Sequence, residues 1–207
     1  MKIAVCVPYR PSHPDRVRNF ARVRHVWDVM GLPVYTGDCE GDRKRAHAVN
    51  AARAQVDGAD VLFISDSDVL LDDPYHQTLA ACETALEHGA YTVAFTTLRY
   101  LDADGNEFWV QKKIWGGVFA IPRSLFDLVG GFDERFQGYG AEDIGFLVCA
   151  STLGGPKQRM PGLAYHLDHP EDPLRTSEAS REGNLLAERY LKVDGDPAAI
   201  RAMLAER

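Results

Sequence analysis

Two carboxylates, Asp66 and Asp68, follow the apolar run Val61–Ile64. Such a run predicts a buried strand, and in an extended chain both side chains would point to one side, roughly 6.5 Å apart. Two anionic groups at the end of a buried strand are costly unless a cation lies beside them. Ligands of open α/β sheets also collect beyond the carboxyl ends of strands. The spacing favours a divalent metal that carries a phosphorylated ligand, and a solvated Asp-Ser-Asp turn is the simpler alternative.

Other residue types that can do chemistry lie later in the chain. Glu142 and Asp143 open a predicted helix, where they suit acid–base chemistry or simply compensate the helix dipole. His166 follows the last predicted strand and His169 lies just beyond. In the first turn of an earlier helix, the basic run 43–45 opposes the dipole, which favours a bound anion nearby.

Strands and helices that alternate must position these residues. Strands are expected at 3–7, 32–35, 61–64 and 91–97, and helices at 16–30, 43–56 and 74–89. This β-α-β-α-β-α-β order predicts a parallel sheet with helices on both faces.

The second half of the chain has a different pattern. The turn at 102–106 is followed by strands at 107–114 and 118–121, a helix at 122–129, a helix from Ala141, a strand at 161–167, and tail helices at 178–193 and 197–205. The predicted fold class is therefore α/β, with a single open, mostly parallel twisted sheet flanked by helices and a small antiparallel element in the second half. All 207 residues are expected to form one domain.

Composition narrows the functional classes. The net charge of −7 argues against a general DNA-coating protein. The four cysteines are far apart and include no CxxC pair, which favours buried thiols in a reducing compartment. No run approaches 18 apolar residues and the first strand is too short for a signal sequence, so a cytoplasmic protein is expected.

The ordered motifs resemble those of GT-A fold glycosyltransferases, above all the inverting family 2 and the galactosyltransferase carboxy-terminal module. The residues that carry this resemblance are Val7-Pro8-Tyr9-Arg10, Arg45-Ala46 to Asn50, Asp66-Ser67-Asp68, Trp115-Gly116-Gly117, Gly130-Gly131-Phe132-Asp133-Glu134, Gly138-Tyr139-Gly140-Ala141-Glu142-Asp143 and His166-Leu167-Asp168-His169-Pro170. The sequence departs from many relatives at Tyr139, where they have tryptophan, and at Ile144-Gly145, where some have further carboxylates.

The resemblance implies a metal ion and a nucleotide-sugar donor that is UDP-linked. The metal would be Mn²⁺ or Mg²⁺, and its site would consist of Asp68, Asp66 and His166, with Asp66 reaching the ribose or a metal-bound water. His169 is the alternative to His166. Donor-binding residues would be Pro8, Arg10, Asp38, Arg45, Asp66, Trp115, Gly116 and Gly117.

The implied reaction moves a hexosyl or N-acetylhexosaminyl group to an acceptor hydroxyl with inversion. Asp143 would be the base and Glu142 would hold sugar hydroxyls, while Trp115 and Tyr139 either stack on sugars or belong to the core. Residues 1–100 would bind the nucleotide sugar, 101–176 would form the acceptor and catalytic half, and 177–207 a helical tail. The acceptor is open among a glycan, a lipid-linked sugar, a protein and a modified nucleic acid, and a second subunit is one way to complete its site.

Two other functional classes fit parts of the same pattern. A non-catalytic domain that binds nucleotide sugars or glycans would keep the fold but would not need Asp143 as a base. A nucleotidyltransferase also binds a metal-bound nucleotide, but usually has a glycine-rich basic loop after its first strand, which Pro8-Tyr9-Arg10-Pro11-Ser12 does not resemble. Retaining chemistry stays open within the glycosyltransferase hypothesis.

Overall fold

The computed structural model of the chain describes residues 1–38, 45–170 and 176–207. Its strands are β1 (Ile3–Pro8), β2 (Val34–Gly37), β3 (Val61–Ser65), β4 (Val69–Leu71), β5 (Ala90–Val93), β6 (Thr97–Leu101), β7 (Glu107–Lys112), β8 (Val118–Pro122), β9 (Gly155–Arg159) and β10 (Leu163–His166). Its helices are α1 (Pro14–Val29), α2 (Arg45–Ala54), α3 (Pro74–His88), α4 (Arg123–Leu128), α5 (Glu142–Leu153), α6 (Glu178–Lys192) and α7 (Pro197–Ala205).

The larger sheet has six strands in the order β2-β1-β3-β8-β5-β9. All its pairings are parallel except the two that β8 makes with β3 and β5. Every residue of β3 and β8 is buried, as expected for central strands covered on both faces. The α/β class and the mostly parallel, helix-flanked sheet are therefore confirmed.

A separate four-stranded sheet has the order β4-β10-β6-β7, in which β10–β4 and β6–β7 pair antiparallel and β10–β6 pair parallel. The expected antiparallel element is therefore part of a mixed sheet. The single strand predicted at 91–97 is wrong, because the chain leaves the larger sheet after Val93 and enters the smaller one at Thr97. Backbone N–H groups of Thr96 and Thr97 donate instead to the carbonyl of Gly162, at 3.0 and 3.2 Å. Strands β4 and β9 were not expected, since β4 has three residues and β9 has the polar sequence GPKQR.

One buried amide, that of Gln77 on α3, joins the two sheets. Its Nε2 donates to the carbonyl of Ala94, which follows β5, at 3.0 Å and to that of Leu163 in β10 at 3.2 Å. Its Oε1 accepts from the backbone N–H of Asp73 at 2.8 Å. The side chain thus satisfies backbone groups from both sheets and from the start of its own helix.

Local signals set the ends of several helices. Asp73 caps α3 by accepting from the N–H of His76, Pro74 occupies the first turn, and Gly89 ends the helix at φ +58°, as the sequence predicts. The expected helix 43–56 is described from Arg45 onward, and its first two residues lie outside the described residues.

The two tail helices dock through a buried carboxylate. Asp133 is 2% exposed, and its Oδ2 accepts from the Tyr190 hydroxyl of α6 at 2.7 Å and from Arg135 Nη2 at 2.8 Å. The Arg207 side chain donates to the carbonyls of Val129 and Gly131 at 2.9 and 3.0 Å. Although burial alone would raise it, the pKa of Asp133 is lowered by the bonds from Arg135 and Tyr190.

The cysteines predicted to be buried thiols, Cys6 and Cys149, are buried and free. Among the described residues, no helix has both the length and the apolar character needed to cross a bilayer.

Candidate active site

The two carboxylates after β3 have different partners. The chain turns between Asp66 and Asp68, and the N–H of Val69 approaches the carbonyl of Asp66 at 3.5 Å. The extended geometry expected for this segment is therefore wrong. Asp66 faces Arg45 and Asp68 faces two histidines, so the pair contributes to two adjoining clusters.

The first cluster is Asp68, His166 and His169, in which one donor atom from each residue lies within 4.8 Å of the others. Asp68 Oδ2 lies 3.0 Å from His169 Nε2, and Asp68 Oδ1 lies 3.9 Å from His166 Nε2. Strand pairing produces this convergence, because His166 of β10 is in register with Val69 of β4, and the N–H of Leu167 donates to the Asp68 carbonyl at 2.8 Å. Both histidines thus reach Asp68.

Neighbouring groups hold the histidine segment in place. Asn19 of α1 is 2% exposed and donates through Nδ2 to the carbonyl of Asp168 at 2.9 Å. The His166 ring stacks on Tyr100, with centroids 4.7 Å apart. His169 Nδ1 lies 2.8 Å from the carbonyl of Pro170, a contact that orients the ring with Nε2 toward Asp68.

The protonation of Asp68 and His166 suits metal ligation, whereas the bond to Asp68 raises the pKa of His169, so a cation must displace a proton from that ring. Burial lowers the pKa of His166 and so favours the neutral imidazole. The hydrogen bond from His169 and the charges of both histidines lower the pKa of Asp68, even though its own burial opposes ionisation. A carboxylate and two imidazoles can hold a divalent cation, and this donor set fits Mn²⁺ better than Mg²⁺.

The second cluster is organised by the Arg45 guanidinium at the start of α2. Arg45 Nε donates to Asp66 Oδ1 at 2.8 Å, and Nη1 donates to Asp143 Oδ1 at 2.7 Å, with Glu142 Oε1 at 3.5 Å. Burial works against the charge on Arg45, yet Asp143 and Asp66 raise its pKa. Three carboxyl groups therefore share one permanent cation.

Desolvation changes the acidity of these carboxyl groups. Desolvation raises the pKa of Asp66 to about 7, against the opposing effect of Arg45. Burial and the nearby charge of Asp143 raise the pKa of Glu142, which is 7% exposed at the start of α5. Perturbed carboxyl groups that converge in this way are typical of functional sites.

The glycines after Trp115 make room for these carboxylates. A Cβ on Gly116 would lie 2.1 Å from Asp143 Oδ2, and one on Gly117 would lie 3.7 Å from Asp66 Oδ2. Gly117 has φ +87°, and its carbonyl accepts from the N–H of Asp66 at 2.9 Å. Paired glycines are expected to let another group approach closely, and the groups that approach Gly116 and Gly117 are these two carboxylates.

The remaining predicted donor residues lie at the ends of β1 and β2. Arg10 Nε donates to Asp38 Oδ1 at 2.8 Å, and Pro8 is in register with Gly37. Arg10 and Asp38 are therefore brought together, while Arg45 pairs with the carboxylates instead.

Trp115 and Tyr139, expected either to stack on sugars or to belong to the core, have different surroundings. Trp115 is partly buried and lies against two cations, with Arg159 Cζ 4.1 Å and Lys157 Nζ 4.9 Å from its ring. Its carbonyl accepts a short hydrogen bond from the hydroxyl of the fully buried Tyr91. Tyr139 is 48% exposed and does not belong to the core.

Sequence reasoning missed three contributors to the site: Asn19, Tyr100 and the bridging position of Arg45. Asn19 and Tyr100 act through a backbone carbonyl and a ring face, for which the sequence carries no spacing signal. Arg45 did carry one, since a basic first turn opposes the helix dipole. The structure shows the compensating anions to be Asp66 and Asp143.

A family model described as the N-terminal domain of galactosyltransferase matches residues 108–170. This segment includes Trp115-Gly116-Gly117, Glu142-Asp143, His166 and His169. No curated protein sequence is significantly similar to the chain.

Solved structures are similar to the chain over most of its length. The catalytic domain of Drosophila β1,4-galactosyltransferase 7, in complex with xylobiose, has TM-score 0.55 and 17% identity, covering 88% of this chain and 79% of that one. A mutant of that enzyme was solved in complex with manganese, UDP-Gal and xylobiose.

Two further structures extend the likeness. GalNAc-T7 with UDP, GalNAc and Mn²⁺ has TM-score 0.65 and 13% identity, covering 93% of this chain and 48% of that one. TarS from S. aureus has TM-score 0.59 and 16% identity, covering 100% of this chain and 70% of that one. At these identities the likeness establishes the architecture, which is the GT-A fold.

Proposed function

We propose that this chain, which has the GT-A glycosyltransferase fold, is a metal-dependent glycosyltransferase that uses a UDP-linked sugar. The observation that carries the proposal is the convergence of Asp68, His166 and His169 on one point, within 4.8 Å. The match at 108–170 and the manganese and UDP-sugar complexes of structurally similar enzymes support it.

In this proposal Asp68, His166 and His169 hold Mn²⁺, with Asp66 close by in the chain. The bound ion would offset the charge that a nucleoside diphosphate gains as it leaves. Arg10, Asp38 and Pro8 would contact the nucleotide from the ends of β1 and β2.

Asp143 is proposed as the base for the acceptor hydroxyl. Its bond from Arg45 fixes the direction of the carboxylate, which a base requires. The acceptor oxygen forms a bond to the anomeric carbon as the bond from that carbon to the diphosphate oxygen breaks. The hydroxyl proton goes to Asp143, the electron pair leaves with the diphosphate, and attack opposite the leaving group inverts the configuration.

Glu142 is proposed to hold hydroxyl groups of the transferred hexosyl or N-acetylhexosaminyl group. Its raised pKa favours the protonated acid, which both donates and accepts hydrogen bonds. Donor binding is assigned to residues 1–100 and acceptor binding to 101–176, with residues 177–207 as a supporting helical tail.

We also propose a cytoplasmic location and a second subunit at the acceptor site. The described cysteines are free, which supports the reducing conditions of the cytoplasm. A second subunit is proposed to help complete the acceptor site, because the loops of this chain alone must otherwise form it.

Calorimetry with UDP, with and without Mn²⁺, tests the proposal. We expect UDP to bind at least tenfold more tightly with Mn²⁺, and equal affinities would contradict the metal assignment. A thermal-shift screen of nucleotide sugars would then find the donor, and NMR of the released or transferred sugar would assign its anomer. Donor binding without hydrolysis or transfer for any acceptor class would favour the non-catalytic alternative.

A further inference from the structure

A pocket of about 580 Å³ opens beside Trp115, a volume within the range of small-molecule sites. The residues that line it are Thr96, Thr97, Lys112, Lys113, Trp115 and Arg159. Three of these six carry a positive charge and none carries a negative one. The chain as a whole has a net charge of −7, so the basic lining is opposite to the average surface.

Strand pairing forms one wall of this pocket. Thr97 at the start of β6 is in register with Lys112 at the end of β7, and the N–H of Lys113 donates to the carbonyl of Thr96 at 3.3 Å. Lys113 has φ +62°, a left-handed conformation that is uncommon for a residue with a side chain. Such backbone outliers cluster at binding sites.

The opposite wall holds a guanidinium group with an unused donor. Arg159 Nη1 donates to the carbonyl of Phe95 at 3.1 Å, and the guanidinium lies on the Trp115 ring. Arg159 Nη2 is buried and has no hydrogen-bond partner within the part of the chain that the structure describes. A buried charged donor without a partner is costly, and an anion in the pocket would satisfy it.

The lysine ammonium groups near the pocket can also bind an anion. Across residues 1–38, 45–170 and 176–207 the structure gives no ion pair to Lys112, Lys113 or Lys157. Lys157 adds a fourth positive charge at 4.9 Å from the Trp115 ring. Three cations that line the pocket, a fourth beside the indole and two threonines form a site for a carboxylate, sulfate or phosphate group.

The position of the pocket indicates which substrate would use it. Gly116 and Gly117, which follow Trp115, face Asp143 and Asp66, so one chain segment borders both the pocket and the proposed base. Arg159 ends β9, and β9 and β2 are opposite edges of the larger sheet. Arg10, Asp38 and Pro8 lie at the β1–β2 side, so the pocket lies toward the other edge of the sheet, and Trp115, which the resemblance assigns to the donor, is assigned here to the acceptor.

We propose that this pocket binds an anionic group of the acceptor, carried on a sugar near the hydroxyl that is glycosylated. The acceptor would then be an acidic glycan or a phosphate-bearing glycan rather than a neutral sugar. This inference rests on the proposed function, since it assigns the acceptor class of the same site.

Matched pairs of charged and neutral sugars test it by direct binding. The probes are p-nitrophenyl β-glucuronide against p-nitrophenyl β-glucoside, and glucose 6-phosphate against glucose, titrated by NMR. We expect each charged probe to bind about tenfold more tightly than its neutral partner, and this preference to decrease with added salt. The larger of the two preferences distinguishes a carboxylate from a phosphate.

The variants are Lys112→Gln with Lys113→Gln, both on exposed side chains, and Arg159→Gln. Each should reduce the preference to about twofold or less, because the neutral probes keep their contacts. Lys192→Gln, an exposed lysine on α6, is the control and should retain the preference. If Arg159→Gln fails to fold, the double lysine variant decides.

Three outcomes would overturn the proposal. These are no binding of the charged probes at all, equal binding of both members of each pair, and a preference that survives in the double lysine variant. Displacement of the charged probes by UDP without Mn²⁺ would also overturn it, since the pocket would then belong to the donor. UDP binding with Mn²⁺, measured on the same samples, tests the proposed function independently of the probe preference. If UDP does not bind but the preference for charged probes is intact, only the proposed function is contradicted.

Discussion

A Cβ atom on Gly116 would lie 2.1 Å from Oδ2 of Asp143. Carbon and oxygen atoms that are not bonded to each other cannot approach so closely, so a side chain at position 116 must displace the Asp143 carboxylate. We expect Gly116→Ala to reduce the transfer rate about 100-fold or more, the size of a general-base contribution, while UDP affinity changes little. Donor hydrolysis without acceptor serves as the assay if the acceptor is unknown.

Gly183→Ala is the matched control, because a Cβ there finds its nearest atom at an ordinary 3.5 Å. It should leave both rate and UDP affinity unchanged. Full activity of Gly116→Ala would show that Asp143 need not hold the position that the structure gives it.

Asp143→Asn keeps the shape of the side chain and removes its ability to take a proton. We expect it to lower turnover by about 10²–10⁴-fold and to leave the affinity for UDP with Mn²⁺ within about twofold. The control is Asp127→Asn, which alters an aspartate that is also paired with an arginine, Arg53, at 2.8 Å. Equal losses of donor affinity and turnover would argue against a role for Asp143 as the base.

Asp68→Asn and His166→Ala each remove one donor atom from the cluster around Asp68. We expect either change to weaken Mn²⁺ binding at least tenfold, measured by calorimetry or by the loss of free-ion signal in electron paramagnetic resonance. His25→Ala, at an exposed position of α1, should bind Mn²⁺ like the unchanged protein. Undiminished Mn²⁺ affinity in both cluster variants would rule out this cluster as the metal site.

Asp133→Asn tests the buried carboxylate that docks the tail helices. Since the folded chain lowers the pKa of Asp133, its stabilising effect is complete above about pH 4, the ordinary aspartate pKa, and is lost as the pH falls through the lowered value. We expect the variant to be less stable by about 2–3 kcal/mol at pH 7, and the gap to narrow at pH 3.

Urea unfolding at the two pH values measures that gap. Asp104→Asn, at an exposed turn residue, should match the unchanged protein at both. A gap that stays constant between pH 7 and pH 3 would mean that Asp133 acts through packing and not through its charge.

The parts of the fold that the sequence predicts well are those with local causes. The apolar run Val61–Ile64 is buried throughout within β3, and Asp73, Pro74 and Gly89 mark the ends of α3 where they are expected. These signals depend on a residue and its immediate neighbours, so they survive without knowledge of the tertiary structure.

The missed elements have distant causes. The apolar stretch Tyr91–Thr97 gives no sign of a break, since the Gly162 carbonyl that takes the Thr96 and Thr97 N–H groups is far along the chain. Strand β9 has no apolar alternation, and its pairing with β5 uses backbone groups that every sequence has.

The site shows the same division. Only the resemblance predicts that Asp68 and His166 come together, because they are 98 positions apart in the chain. The inclusion of His169 follows from the path of the chain after β10, held by Asn19. That Arg45 bridges Asp66 and Asp143 depends on how α2 and α5 pack, which no spacing in the sequence encodes.

The Gln77 amide has a consequence for the metal cluster. His166 belongs to the smaller sheet, and Asp68 lies in the turn where the chain passes from the larger sheet into it. Gln77 donates to the carbonyl of Ala94, next to the larger sheet, and to that of Leu163 in the smaller one, so sliding one sheet past the other would leave buried backbone groups unsatisfied. These bonds support the positions of the ligands before a cation binds, which lowers the free-energy cost of bringing them together.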